Sequence, residues 1–147
     1  MFIGEYHHSL DEKGRLVLPA KFRAALADDG TATGFVSKGQ ERCLYIQPED
    51  EWRTMAEKVK ALPLTDKRGR AFSRGFFGSS ESIQVDGQGR VMIPGPLREW
   101  AGLTDKAVLV GLLDRIEVWD PEVWATVSAE SDDFYTTIEE KITHEDL

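Results

Sequence analysis

A thirteen-residue pattern occurs twice in this chain. Residues 11–23 read DEKGRLVLPAKFR, and residues 86–98 read DGQGRVMIPGPLR. Asp, Gly, Arg, Pro and a final Arg recur in register, with aliphatic residues at the same three positions between the first Arg and the Pro. Because Gly and Pro are each uncommon in average sequences, so many matches in one alignment are improbable by chance. The chain is therefore a tandem duplication of one small unit.

The sequence after each copy is also similar. Two short runs rich in β-branched or aromatic residues follow, at 34–38 and 43–47 in the first unit and at 107–112 and 116–119 in the second. Such runs, bounded by Gly, Asp or Pro, predict strands that pair as hairpins. Each unit is predicted to run strand, turn, strand, helix, strand, turn, strand. The fold class is thus mainly β with short helices, within the α+β class.

The repeated motif predicts its own local structure. In Asp-x-x-Gly, the Asp side chain can bond the backbone ahead of it and the Gly can adopt positive φ, so a tight turn is expected. Strand-like residues follow, and the Pro then starts a short helix. In the second copy, Pro94-Gly95-Pro96 predicts a later and weaker helix start than in the first.

Helices are predicted outside the two units. Trp52, Met55, Val59 and Leu62 recur at helical spacing after an acidic first turn, which predicts an amphipathic linking helix up to about Leu62 that covers a hairpin. A second, poorer helix broken by glycines follows, with Thr65 as its candidate cap. A third helix is expected from Pro121, whereas the acidic composition beyond Ser131 predicts fraying or disorder.

Four segments result. The first unit spans 1–47, a helical connector spans 48–75, the second unit spans 76–119, and a C-terminal helix with an acidic tail spans 120–147.

The net charge of −8 argues at first against a nucleic-acid partner. From Asp120 to the end there are nine acids and only one base, so residues 1–119 hold 17 bases and 17 acids. Residues 1–119 therefore have no net charge and can carry a basic face. We expect a cytoplasmic protein without membrane contact, because no apolar run or signal peptide is evident. The single cysteine, Cys43, fits a reducing compartment.

The two copies of D-x-x-G-R-aliphatic-x-aliphatic-P, each inside a strand-rich unit, resemble the SpoVT/AbrB type of DNA-binding domain. The tandem form, over about residues 1–125, resembles the MraZ family. This resemblance implies a swapped-hairpin, AbrB-like β-barrel with pseudo-twofold symmetry and a ring-shaped homo-oligomer. It also implies a nucleoid-associated transcriptional regulator that binds repeated double-stranded DNA sites at the promoter of its own operon, in a cell division and cell wall gene cluster.

The D-x-x-x-R element of that family falls on Asp11 with Arg15 and on Asp86 with Arg90. Arginine has a planar, permanently charged fork that suits phosphate or guanine O6 and N7. An Asp in the same turn disfavours phosphate, so its expected role is to cap the turn and orient the guanidinium. The alternative is that each Asp and Arg form only an internal salt bridge.

Four further basic residues are candidates for DNA contact: Lys13, Lys21, Arg23 and Arg98. Lys13 gives the first turn a second positive charge where the second turn has Gln88. For Arg23 and Arg98, a helix C-terminal charge is an equally good interpretation. The basic connector, with Arg68, Arg70 and Arg74, is expected to pair with acids of a neighbouring subunit rather than with phosphate.

The sequence does not favour an enzyme. It has none of the common nucleotide-binding, metalloprotease or serine-hydrolase motifs, so no catalytic residue, cofactor or small-molecule substrate is predicted. His7 and His8 are adjacent in a predicted strand and point to opposite faces, so they cannot chelate one metal ion together. Cys43 is expected to be a small buried hydrophobe. The alternative to a DNA-binding regulator is a ring-forming protein interaction scaffold without specific DNA binding.

Overall fold

The computed structural model describes residues 1–28 and 30–144. Its strands are β1 Phe2–Ser9, β2 Arg15–Val17, β3 Ala27–Asp28, β4 Thr31–Lys38, β5 Leu44–Gln47, β6 Glu81–Gln84, β7 Arg90–Met92, β8 Lys106–Leu113 and β9 Ile116–Trp119. Its helices are α1 Ala20–Leu26, α2 Glu49–Lys60, α3 Lys67–Ser79, α4 Gly95–Ala101 and α5 Pro121–His144, with a 3₁₀ turn at Gln40–Arg42. The predicted α+β class is confirmed.

The two units exchange strands. The first strand of each unit pairs with the eight-residue strand that follows the short helix of the other unit, β1 with β8 and β6 with β4. The short second strands pair with each other, as do the last strands, β2 with β7 and β5 with β9. All these pairs are antiparallel, and the main sheet runs in the order β1-β8-β9-β5-β4-β3. This exchange has the predicted pseudo-twofold form; closure into a barrel stays a prediction.

The predicted hairpins within each unit are confirmed. β4 pairs with β5, with Val36 opposite Ile46, and β8 pairs with β9, with Leu109 opposite Val118. All four of these side chains are buried. Alternation along each strand brings these apolar side chains to one face, where they form one core shared by the two units.

The linking helix is confirmed, although it ends at Lys60 rather than near Leu62. Trp52 stacks on Phe35 with ring centroids 4.4 Å apart, and Phe76 from α3 lies on Trp52 at 5.8 Å. The helix therefore covers the β4–β5 hairpin. Its anchor is also polar, since the Trp52 indole N–H donates to the Ser80 hydroxyl at 3.1 Å.

The expectation of a glycine-broken helix in the connector is wrong, because α3 runs unbroken over 13 residues. Its cap is Asp66 rather than Thr65, with the Arg68 backbone N–H donating to Asp66 Oδ1 at 3.0 Å. Glycine costs roughly 1 kcal/mol per position in a helix relative to alanine. Burial of Phe76 offsets that cost, and glycine suits position 69 because an added Cβ would lie only 3.0 Å from the Pro63 carbonyl oxygen.

Two other helix predictions need correction. α4 begins at Gly95, directly after Pro94, and has seven residues like α1, so its start is not later than that of α1. Pro96 lies in its first turn, where the missing N–H costs nothing. The prediction of fraying or disorder beyond Ser131 is also wrong, because α5 continues to His144. Residues 145–147 of the predicted acidic tail lie outside the described residues.

Candidate nucleic-acid interface

The first repeated turn is organised around the Asp11 carboxylate. Oδ1 accepts from the backbone N–H groups of Lys13 at 3.0 Å and Arg15 at 2.9 Å. Oδ2 accepts from Arg15 Nε at 2.6 Å. Gly14 closes the turn with φ +83°, and its N–H donates to the Asp11 carbonyl at 3.0 Å. Asp11 thus caps the turn and orients the guanidinium, as its residue type predicted.

The second turn repeats this geometry bond for bond. Asp86 Oδ1 accepts from the N–H groups of Gln88 and Arg90, each at 2.9 Å. Its Oδ2 accepts from Arg90 Nε at 3.1 Å. Gly89 has φ +78° and donates to the Asp86 carbonyl at 3.0 Å. Two turns from opposite halves of the chain therefore fix two arginines in the same way.

Strand pairing then brings these arginines onto one surface. β2 and β7 form a two-stranded ribbon in which Arg15 lies opposite Met92 and Val17 opposite Arg90. The central pair, Leu16 and Val91, points into the core and is buried. Because side chains alternate along a strand, Arg15 and Arg90 both project from the outer face, on one diagonal of the ribbon. We call this outer face, with Arg15, Val17, Arg90 and Met92, the ribbon face.

Arg23 and Arg98 do not project beside the two arginines of the ribbon face. Arg98 Nε donates to the Ile93 carbonyl at 3.0 Å, and its guanidinium lies against Gly14 of the other unit, 2.6 Å from where a Cβ would be. Arg23 is the equivalent residue of the first unit. It donates to the Leu18 carbonyl at 2.6 Å, and its side chain lies against Gly89 of the second unit. Each half-buried arginine therefore supports the opposite turn. Their predicted contact with DNA stays a prediction.

The backbone joins the same elements. The Ile93 N–H donates to the Gly14 carbonyl at 2.8 Å, and the Leu18 N–H donates to the Gly89 carbonyl at 2.9 Å. Each turn is thus hydrogen-bonded to the strand end of the other unit. Motif spacing cannot predict this cross-support, because it depends on which strands the duplication exchanges.

The electrostatics of the two turns are similar but not identical. Backbone hydrogen bonds, chiefly from Arg15 to Asp11 and from Arg90 to Asp86, lower the pKa of both carboxyl groups. Both acids are therefore ionised at neutral pH. Arg90 Nη1 also lies 3.7 Å from Asp11 Oδ2, so the second arginine contacts both carboxylates.

The remaining predicted residues lie on the exposed parts of the motif. Lys13 is exposed at the tip of the first turn, and Lys21 is exposed in the first helical turn of α1. Nothing in sequence reasoning singled out Met92, which is 48% exposed on the ribbon face. Strand alternation in the motif could have identified it, because it occupies the outward position between two core residues.

The histidines and the cysteine match the structural interpretations. His7 is exposed and His8 is half-buried in β1, facing opposite ways. Partial burial, reinforced by the charge of Arg23, lowers the pKa of His8, so it adds no charge at neutral pH. Cys43 is buried, as predicted, and burial raises the pKa of its thiol well above its usual range. Within residues 1–28 and 30–144, no group of three or more His, Cys, Asp or Glu residues could hold a metal ion.

A family model described as "MraZ protein, putative antitoxin-like" matches residues 1–75 and again residues 76–145. The chain belongs to the MraZ family. It is 44% identical to the transcriptional regulator MraZ of Desulfitobacterium hafniense (strain DSM 10664 / DCB-2) over 98% of each chain. The MraZ proteins of Natranaerobius thermophilus and Salinispora tropica are 39% and 47% identical, over 100% and 97% of each chain respectively.

The MraZ relatives share the full length of this chain and are named transcriptional regulators. The double match of the family model agrees with the duplication identified from the repeated motif. In the described part of the chain, no helix is both long and apolar enough to cross a membrane.

Proposed function

We propose that this MraZ-family chain is a sequence-specific double-stranded DNA-binding transcriptional regulator that contacts DNA through the ribbon face. The observation that carries the proposal is the placement of Arg15 and Arg90 on one diagonal of the β2–β7 ribbon, each oriented by its own Asp. The relatives' naming as transcriptional regulators supports it.

The shape of the ribbon suits a DNA groove. The major groove admits a two-stranded β-ribbon, and arginine can donate two hydrogen bonds to guanine O6 and N7. In both turns the Asp bond engages Nε of the arginine, which leaves the terminal amino groups outside that bond. Apolar Met92 and Val17 occupy the other diagonal, where they can meet thymine methyl groups.

Two arginines are too few for tight binding alone, since salt-resistant affinity needs several phosphate contacts. We therefore propose a homo-oligomer, in the form of a ring, that presents several ribbons to repeated promoter sites and gains affinity through avidity. By family resemblance, these sites belong to the protein's own operon in a cell division and cell wall gene cluster. The site of action is the cytoplasm, at the nucleoid.

Mobility shift of duplex DNA carrying short direct repeats tests the proposal. We expect the wild-type chain to bind such a duplex and Arg15→Ala with Arg90→Ala to lose at least about 30-fold in affinity, since each specific contact contributes about 1–3 kcal/mol. The matched control is Lys58→Ala with Lys60→Ala, which removes the same charge from the exposed side of α2.

Retained specific binding by the double arginine variant, with its oligomer intact, would contradict the assignment of the ribbon face. Absence of any preferred duplex after selection from random DNA would instead favour the interaction scaffold. That alternative has one observation in its favour, the exposed apolar residues of α5.

A further inference from the structure

The C-terminal half of α5 is a helix with an unpartnered apolar face. Residues 131–142 project beyond Val127, the last residue of α5 that packs on the core near Trp119. Four large apolar side chains in it are between 47% and 68% exposed: Phe134, Tyr135, Ile138 and Ile142. Phe134, Ile138 and Ile142 follow at intervals of four and therefore share one helix face. We call residues 131–142 the distal helix.

The distal helix is also acidic. It carries Asp132, Asp133, Glu139 and Glu140 against a single base, Lys141. Two such helices laid side by side would bring like charges together, which disfavours pairing between distal helices. A partner for the distal helix should therefore offer an apolar surface with basic residues beside it.

A groove of about 750 Å³ lies between α3 and α4 in the same chain. We call it the α3–α4 groove. Leu97 and Trp100 line it from α4, while Gly75 and Gly78 on α3 leave open space where a Cβ would meet nothing within 4 Å. The groove thus has an apolar wall and room for bulky side chains.

The rim of this groove is basic. Arg74 lines it from α3, a helix with four bases and no acid. Arg42 Cζ and Lys38 Nζ lie 5.1 and 5.4 Å from the centre of the Trp100 ring. Glu81 and Glu99 also line the groove, so its three described bases outnumber its two described acids by one.

We propose that the distal helix of one copy docks in the α3–α4 groove of a second copy. Apolar side chains of the distal helix would contact Pro96 and Trp100, and its acids would lie beside Arg42 and Arg74 at the rim. Among the described side chains of α5, none lines the groove of its own chain. Each copy carries both surfaces, so the contact links copies of this chain without a further component. The proposal rests on the homo-oligomer of the proposed function, for which it names the contact surfaces, and it does not use the ribbon face.

Cysteine crosslinking between full-length copies tests the contact. Phe134→Cys and Gly78→Cys place exposed thiols on the distal helix and in the groove, and the native Cys43 is buried. After the two variants are mixed and treated with a short bismaleimide, we expect a dimer containing one copy of each. Each variant alone should give none. Ala125→Cys, exposed in the proximal part of α5, is the matched control and should not crosslink to Gly78→Cys.

Crosslinking of Phe134→Cys only to itself would show that distal helices pair with each other and would overturn the proposal. Absence of any mixed dimer from folded, associated protein would also overturn it. A chain that stays monomeric at all concentrations while its distal helix captures another protein would overturn the proposal, because the partner would then not be a second copy of this chain.

Charge reversal gives an independent measurement. Asp132→Lys with Asp133→Lys, or Arg42→Glu with Arg74→Glu, should each weaken self-association roughly three- to tenfold in sedimentation experiments, as exposed ion pairs allow. Combining all four changes should restore association to within about twofold of wild type. Glu57→Lys on α2 should have no effect. Losses that simply multiply in the combined variant would contradict the contact. The mobility shift tests DNA binding through the ribbon face separately, so either proposal can fail while the other holds.

Discussion

The two repeated turns share one backbone design and differ in charge. Both have an Asp that accepts two backbone N–H groups, a Gly at positive φ and an Arg fixed through Nε. The first turn has Lys13 where the second has Gln88. The second arginine also lies near both carboxylates, which the first does not within the described residues. Duplication has therefore kept the positioning device and changed the charge around it.

The largest expected difference between the turns is in DNA affinity. Arg15→Ala should weaken specific binding by about fivefold or more, since a specific arginine contact is worth about 1–3 kcal/mol. Arg90→Ala should weaken it less, because Arg90 is the more buried side chain and is shared between two carboxylates. Titrated mobility shifts with a direct-repeat duplex measure both. A greater loss for Arg90→Ala would reverse the order of the two turns.

The next effect is on stability. At Gly14 an added Cβ would lie 2.9 Å from the Ile93 carbonyl oxygen, which is fixed backbone, whereas at Gly89 its three nearest neighbours would all be atoms of the flexible Arg23 side chain. Both positions have positive φ, so each alanine costs roughly 1–3 kcal/mol of unfolding free energy. Gly14→Ala should be the more destabilising in urea denaturation. Gly87→Ala is the control, because its added methyl would have open space. Equal losses of unfolding free energy for Gly14→Ala and Gly89→Ala would contradict this order and would mean that the backbone at Ile93 shifts to accommodate the added methyl group.

A smaller effect should follow from exchanging the residue at the turn tip. Gln88→Lys should tighten binding a few-fold and steepen the salt dependence by about one counterion, while Lys13→Gln should do the opposite. The double exchange should leave the total charge and the salt slope unchanged. Affinity measured against salt concentration tests this, and an unchanged slope in both single variants would show that neither tip reaches a phosphate.

The smallest effect is on the pH dependence of folding. Hydrogen bonds in the folded chain hold the pKa of Asp11 and Asp86 below the unfolded values. Their contribution to stability is therefore complete above the unfolded pKa of about 3.9 and is lost as pH falls through the folded pKa. Asp11→Asn and Asp86→Asn should each reduce this loss of stability in acid. Thermal melts between about pH 2 and pH 5 measure it, and slopes identical to wild type would contradict it.

The local parts of the site were predictable from the sequence. An Asp-x-x-Gly pattern determines a turn through one short-range carboxylate and one positive φ, so the roles of Asp11 and Gly14 need no tertiary information. The hairpins β4–β5 and β8–β9 were predictable for the same reason. Their residues are close in sequence and bounded by turn signals.

The contacts between units were not predictable from local patterns. Arg98 lies in the last turn of α4, as the helix C-terminal interpretation predicts, but its position against Gly14 of the other unit has no local signal. Acidic composition also outweighed the four-residue spacing of Phe134 and Ile138, which in retrospect indicates a helix. Composition indicates the average polarity of a segment, whereas the spacing of its apolar residues indicates which face can pack.

Photo-crosslinking from the ribbon face tests the central claim most directly. Met92→Cys carries an exposed thiol on that face, and Glu57→Cys carries one on α2, while Cys43 stays buried. With a benzophenone label at either position and a direct-repeat duplex, irradiation should crosslink DNA to residue 92 and not to residue 57. Crosslinking from residue 57 with none from residue 92 would contradict DNA contact through the ribbon face.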